Sequence, residues 1–171
     1  MEEYRKFVKQ RAKEKSTELI PNGGIEHAEV LVENLFNCAK DTVRIFTGSL
    51  NEKVYATDNV LTSAKQFLLE DGRRLEILIQ DGDKVSAHNG LIKLCRSDSS
   101  SKCVIKHTTG ADTAAKSHFV VADYFAYRLE PDRKRYTAVA CFNDQSASSA
   151  LSTAFKEMFD KAELLDETKN N

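Results

Sequence analysis

Between residues 25 and 79 the chain twice passes from a helical stripe of apolar side chains into a short strand-forming run, and that order restricts the fold more than any other feature. Ala28, Leu31, Val32, Leu35, Phe36 and Ala39 recur at steps of three and four, the spacing that gathers side chains on one face of a helix over 25–39. After Lys40-Asp41, the run 42–47 is β-branched and aromatic and ends at Gly48-Ser49, which reads as a strand closing in a small-residue loop. Val60, Leu61, Ala64, Phe67 and Leu68 mark a second helix over 59–70, closed by Asp71-Gly72. The run 75–79 is apolar enough for a strand covered on both faces. Helix–strand repetition with short connections predicts an α/β fold whose sheet is largely parallel, with right-handed crossovers.

The second half departs from that rhythm. A short helix over 86–95 and a polar loop over 97–102 lead to a strand at 103–107 and a flexible loop at 108–113. Residues 118–123 form a buried-type strand, 125–130 an alternating one, 131–135 (Pro-Asp-Arg-Lys-Arg) a turn and 136–142 another strand, which predicts an antiparallel ribbon on the end of the sheet. Ser146 opens a final helix through Leu164, with Ala150, Leu151, Ala154, Phe155, Met158 and Phe159 as its stripe. At the front, residues 1–20 carry Arg5, Lys6, Lys9, Arg11, Lys13 and Lys15 among few apolar residues, and Pro21-Asn-Gly-Gly24 breaks the chain. The expected organisation is a polar helix or arm over 1–23, one domain over 24–165 and a polar tail over 166–171. The basic helix is either a solvated face or a contact for nucleic acid or a partner.

Length and composition narrow the function classes. With 171 residues and 41% hydrophobic content there is room for one ordinary domain. No apolar run approaches the roughly 18 to 20 residues of a membrane span, and Met1-Glu-Glu-Tyr-Arg-Lys lacks the apolar core of a signal peptide. The expected location is the cytoplasm, with no membrane partner. Lys plus Arg number 25 against 26 Asp plus Glu, so any polyanion site is local and not a property of the whole surface. Cys38, Cys95, Cys103 and Cys141 are scattered, without a Cys-x-x-Cys pair or a His at ligand spacing. They read as reduced small hydrophobes. His27, His88 and His107 also stand apart, and neither a metal nor another cofactor is expected. Gly-rich phosphate loops, Gly-x-Ser-x-Gly elbows and His-Glu-x-x-His motifs are absent from the sequence.

One stretch can carry chemistry. Lys116-Ser-His118-Phe-Val-Val-Ala-Asp123 sets two cationic residues on one face of a strand, with an aspartate five residues after the histidine. Joined to the order of elements, it resembles a unit of the phospholipase D superfamily, which places His-x-Lys-x-x-x-x-Asp on a late strand, then an Asn-bearing motif and a helix. The resemblance covers most of residues 25–165. It implies a phospholipase D-like mixed sheet, largely parallel with an antiparallel ribbon, flanked by helices on both faces. Aligned on Asp123, His118 takes the place of the family's Lys, and Lys116 that of its nucleophilic His. In the family that His attacks phosphorus, the Lys holds phosphate oxygens, and a second copy of the motif supplies the general acid. The catalytic set so implied is Lys116, His118 and Asp123. Asn143, in Cys141-Phe-Asn143-Asp, answers to the Asn-bearing motif at a longer spacing than usual. Thr47 and Ser49 flank Gly48 at the carboxyl end of the first parallel strand, where open α/β sheets offer their crevice. With Lys116 and Asn143 they make up the expected phosphate-binding set.

Lysine is a compact charge suited to phosphate contact but differs from imidazole in length and geometry. Three readings of the strand follow: a solvent-facing start with Asp123 beginning the next turn, an anion or phosphodiester site without turnover, and a catalytic centre. The exchanged residues favour a non-catalytic module, accessory or regulatory, that binds nucleic acid, a nucleotide or a protein partner. The alternative is a metal-independent phosphodiesterase or nuclease, whose single motif requires a homodimer to complete the site. Arg128 and Glu130 read as a structural ion pair, and Arg133-Lys-Arg135 as an exposed turn able to touch a polyanion.

Overall fold

Both helix–strand units form, and they set the direction of the elements around them. In the computed structural model, which describes residues 1–86, 88–97, 101–133 and 137–165, helix α1 (Glu2–Glu14) and strand β1 (Ile20–Asn22) lead into α2 (Ile25–Cys38) and β2 (Thr42–Thr47). A one-turn α3 (Glu52–Tyr55), α4 (Asp58–Leu69) and β3 (Arg74–Ile79) follow. The stripe of α2 is buried as its spacing predicts, with Leu31, Val32 and Leu35 fully covered. Thr57 starts α4, its hydroxyl accepting the N–H of Val60 at 3.4 Å. Helix α5 (Gly90–Ser97) begins later than expected because Asn89 caps it, Oδ1 accepting the N–H of Leu91 at 3.0 Å. Then come β4 (Cys103–His107), β5 (His118–Ala122), β6 (Ala126–Asp132), β7 (Thr137–Cys141), α6 (Gln145–Lys161) and β8 (Glu163–Leu164).

The strands join in one eight-stranded mixed sheet, ordered β1-β7-β6-β5-β2-β3-β4-β8. Its balance differs from the largely parallel sheet expected. Among the described residues only β2–β3 and β3–β4 pair parallel, and the other five neighbouring pairs are antiparallel. Connection length is the reason. A parallel neighbour needs a crossover of about a dozen residues or more, which α4 and α5 supply. Strand β5 instead arrives from a 3-10 turn at Gly110–Ala114 and lies antiparallel to β2, and β6 and β7 fold back after it.

Four segments differ in detail. The turn expected at 21–24 begins with β1, in which Pro21 lies opposite Val139; its missing N–H is tolerated because β1 is an edge strand. Helix α1 packs on α2 through buried Val8 and through Arg5, which pairs with both Glu29 and Glu33. Strand β6 continues through Pro131 and Asp132 past an irregularity between Leu129 and Asp132. Lys134 and Arg135 of the turn expected there, and the tail 166–171, lie outside the described residues. The last helix stops at Lys161 and not at 164, because Ala162 is extended and Glu163–Leu164 pairs with His107 and Lys106.

Side chains alternate between two cores. Val43, Ile45, Leu75, Ile77, Val120 and Ala122 pack with α2 and α4, while Phe46, Leu78, Phe119, Val121 and Tyr127 meet Phe155 of α6 on the other face. Helices cover both faces, as expected.

At the far end of β5, Asp123 adopts a left-handed backbone (φ +54°) and is buried. Its Oδ2 accepts the N–H of Lys40 at 2.8 Å, and its Oδ1 those of Asp41 at 2.9 Å and Thr42 at 2.8 Å. Its own N–H donates to Thr42 O at 2.8 Å. Bonds from backbone amides to a carboxylate are of the strong, charge-assisted kind, and here they clamp the start of β2 to the end of β5. Asp123→Ala strands three amides and places alanine in a backbone region that suits Asp, Asn or Gly. The expected loss is about 3 kcal/mol, read as a lower urea midpoint at unchanged slope. Asp123→Asn keeps one acceptor and loses less. Native stability in the alanine variant would contradict the clamp.

Candidate functional site

Because β5 runs against β2 and β3, its first residue reaches the same rim of the sheet as their last ones. His118 opens β5 there, beside Gly48 after β2 and Gln80-Asp81 after β3. A Cβ at position 48 would lie 3.2 Å from His118 Cε1 and 3.7 Å from Asp81 Oδ2, so glycine is what lets the imidazole lie close to the loop. The N–H of Gln80 donates to Thr47 O at 2.9 Å and that of Asp81 to Gly48 O at 2.8 Å. These bonds carry the parallel ladder out to the rim.

Gln80, itself buried, is the centre of the polar contacts. Its Nε2 donates to Ala115 O at 2.7 Å and Asp112 O at 3.4 Å. Its Oε1 accepts from Arg133 Nη1 at 2.5 Å and lies 2.9 Å from His118 Nε2. Arg133 follows β6, where its N–H donates to Lys116 O at 2.9 Å. Its guanidinium also stands 3.9 Å from Asp81 Oδ2, which Lys84 approaches at 3.7 Å. Phe46 packs edge-on against the imidazole, centroids 5.7 Å apart. Burial above all, then Arg133 and more weakly Arg128, push His118 down from 6.5 to about 4, against the opposing pull of Asp81. The ring is neutral at pH 7.

The expected site residues divide between the two ends of the sheet. Exposed Lys116, half-buried Ser49 and buried Thr47 lie at the rim with His118. The Thr47 side chain lies beside the phenol of buried Tyr55. Asp123 and Asn143 are at the opposite end. The Asp123 carboxylate is taken up by the turn amides. Asn143 is exposed after β7, next to Asp144, whose N–H donates to Phe125 O at 2.8 Å. Five strand residues span roughly 17 Å, too far for either to touch a phosphate group held at His118.

The ion pair expected along β6 is formed, Arg128 Nη2 lying 3.8 Å from Glu130 Oε2 while Arg128 Nε donates to Asn22 Oδ1 at 2.6 Å. Burial raises the Glu130 carboxyl, Arg128 draws it back, and Asp132 adds to the rise. Gln80, Asp81 and the inward contact of Arg133 escape a reading of the sequence. The one trace of the first two is the abrupt Gln-Asp-Gly after the apolar run 75–79. Elsewhere His27 stacks on Tyr4, His107 Nε2 lies 3.7 Å from Glu163, and all four cysteines are free, with burial pushing Cys38 up to about 12. Among the described residues no group of three His, Cys, Asp or Glu is placed to hold a metal ion. No helix among them is long and apolar enough to cross a membrane.

No curated protein is matched by the sequence. Among solved structures, the chain is similar to Nuc from Salmonella typhimurium, a phospholipase D family member, at 11% identity and TM-score 0.59 over 86% of this chain and 98% of that one. NucT from Helicobacter pylori is similar at 9% identity and TM-score 0.60, over 86% and 97%. TrmBL2, an archaeal chromatin protein with a novel mode of DNA binding, is similar at 15% identity and TM-score 0.61, over 95% of this chain but 61% of its own. At such identities the likeness is one of fold, and that fold is phospholipase D-like. Residues 25–170 match the family described as Domain of unknown function (DUF7931). The match takes in every element from α2 onward and the whole rim around His118, and the chain therefore belongs to that family, on a phospholipase D-like fold.

Proposed function

We propose that this chain is a non-catalytic phospholipase D-like module that binds a phosphate-bearing ligand, a nucleic acid or nucleotide, at the His118 rim as an accessory or regulatory protein. The observation that carries this is the state of His118. Its Nε2 is engaged by Gln80 at 2.9 Å, its basicity has fallen to about 4, and where the resemblance would put the nucleophile the sequence has an exposed lysine. A ring of such low basicity is a weak nucleophile, and at neutral pH it holds no extra proton for a leaving group.

Charge for a phosphate comes from Lys116, which has no ion-pair partner among the described residues, and from Arg133, whose contact with Asp81 is long at 3.9 Å. Ser49 and the small-residue loop border the same rim. Nucleic acid is favoured as the ligand class by analogy with the DNA-binding TrmBL2, which is similar in fold. In the alternative, a homodimer brings two Lys116–His118 pairs into one cleft and hydrolyses phosphodiesters without metal.

Fluorescence anisotropy with a labelled single-stranded oligonucleotide separates the two. Binding should weaken with salt, and Lys116→Ala or Arg133→Ala should each weaken it roughly 10- to 150-fold, as for one charge-assisted contact. The probe should remain intact in the presence of a chelator. Absence of binding at low salt would overturn the proposal, and cleavage lost in His118→Ala would favour the homodimeric enzyme.

The electrostatics are testable apart from any ligand. In an NMR titration the His118 ring should change state near pH about 4, with a higher midpoint in Arg133→Ala and a lower one in Asp81→Asn. The folded value lies below the ordinary 6.5, so the unfolded chain takes up this proton first. The contribution of neutral His118 to stability is thus complete above pH 6.5 and is lost as pH falls toward about 4. A midpoint at or above the ordinary value would contradict this account.

A further inference from the structure

The Gln80 amide has one orientation that fits its neighbours. Carbonyl oxygens only accept, so Ala115 O at 2.7 Å and Asp112 O at 3.4 Å require the NH2 end, which turns Oε1 toward His118 and Arg133. Oε1 in turn only accepts, so His118 Nε2 at 2.9 Å must carry a hydrogen. A neutral imidazole has one such hydrogen, and Nδ1 is left with a bare lone pair. Among the described residues no donor meets it. The charges facing the ring keep it so: Arg133 and Arg128 oppose a second proton, and Asp81 does not offset them together with burial.

This restricts what a ligand can place against the histidine. An ionised phosphate oxygen is an acceptor and gains nothing from Nδ1, so the ligand atom there must be a donor. Lys116 and Arg133 meanwhile attract an anion to the same rim. An anion with a hydroxyl beside it recurs along a ribose–phosphate chain, where every phosphodiester neighbours a 2′-hydroxyl. Internal deoxyribose units lack that group.

We propose that Gln80 is a positioning residue that fixes the Nε2–H tautomer of His118, so that Nδ1 accepts a ligand 2′-hydroxyl and the rim selects RNA over DNA. This deepens the phosphate-ligand reading and rests on it. The tautomer is read on the unmodified protein by histidine ring 15N NMR at neutral pH. A protonated Nε2 with unprotonated Nδ1 is expected, and the opposite tautomer or an imidazolium would overturn the proposal. Anisotropy with RNA and DNA oligonucleotides of one sequence should show RNA bound about 3- to 10-fold tighter, the weight of one neutral hydrogen bond. His118→Phe should bring that ratio close to one. Gln80→Glu, whose carboxylate draws a proton onto the ring, should raise the His118 titration midpoint and lower the ratio. Equal affinity of the unmodified protein for both probes sinks the hydroxyl assignment and leaves phosphate binding standing; if neither probe binds, both fall.

Discussion

Three backbone amides converging on the Asp123 carboxylate hold together segments more than eighty residues apart, the Lys40 N–H being separated from its acceptor by 83 positions. The clamp sits where β2 begins and β5 ends, so it fixes the register of an antiparallel pair in which Phe46 faces Phe119 and Ile45 faces Val120. A slip of one residue would turn each side chain of β5 to the other face. It would also carry His118 away from Gly48 and Gln80. The rim therefore depends on an interaction at the opposite end of the strand, and the five-residue spacing from His118 to Asp123 is the length of the ruler between them.

That spacing is legible in the sequence, while its physical meaning is not. The resemblance to the phospholipase D motif groups Lys116, His118 and Asp123 as one chemical set, yet the structure gives Asp123 to the turn amides and His118 to the rim. Helices α2 and α4 and strands β2 to β4 were legible because their signals are local: a stripe at helical spacing, or a short apolar run closed by glycine. Strands β1 and β8 carry no such signal. They are two or three residues long and exist because an edge backbone is available to pair with. Pro21 reads locally as a breaker and is a strand residue only by virtue of β7 beside it.

The rim shows the same division between local and distant information. Gly48 and Ser49 are visible as a loop after a strand, and Lys116 and His118 as basic residues at the start of one. Gln80 ties the 3-10 turn at Gly110–Ala114, β5 and the residue after β6 together through one amide, and those partners lie 32 to 53 positions away in the chain. Only folding brings them into contact, so a glutamine after an apolar run looks like any other polar cap.

Set against the phospholipase D motif that residues 116–123 resemble, the order of lysine and histidine in this chain follows burial. Position 118 is half-buried, packed on Phe46 and facing Arg133 and Arg128. A lysine there would have to give up its charge or hold it against two guanidinium groups in a partly desolvated place. Histidine meets that environment by staying neutral. Position 116 precedes the strand and is exposed, so a lysine there keeps both its hydration and its charge. The two residues are thus sorted by solvation, the permanent cation outward and the titratable ring inward.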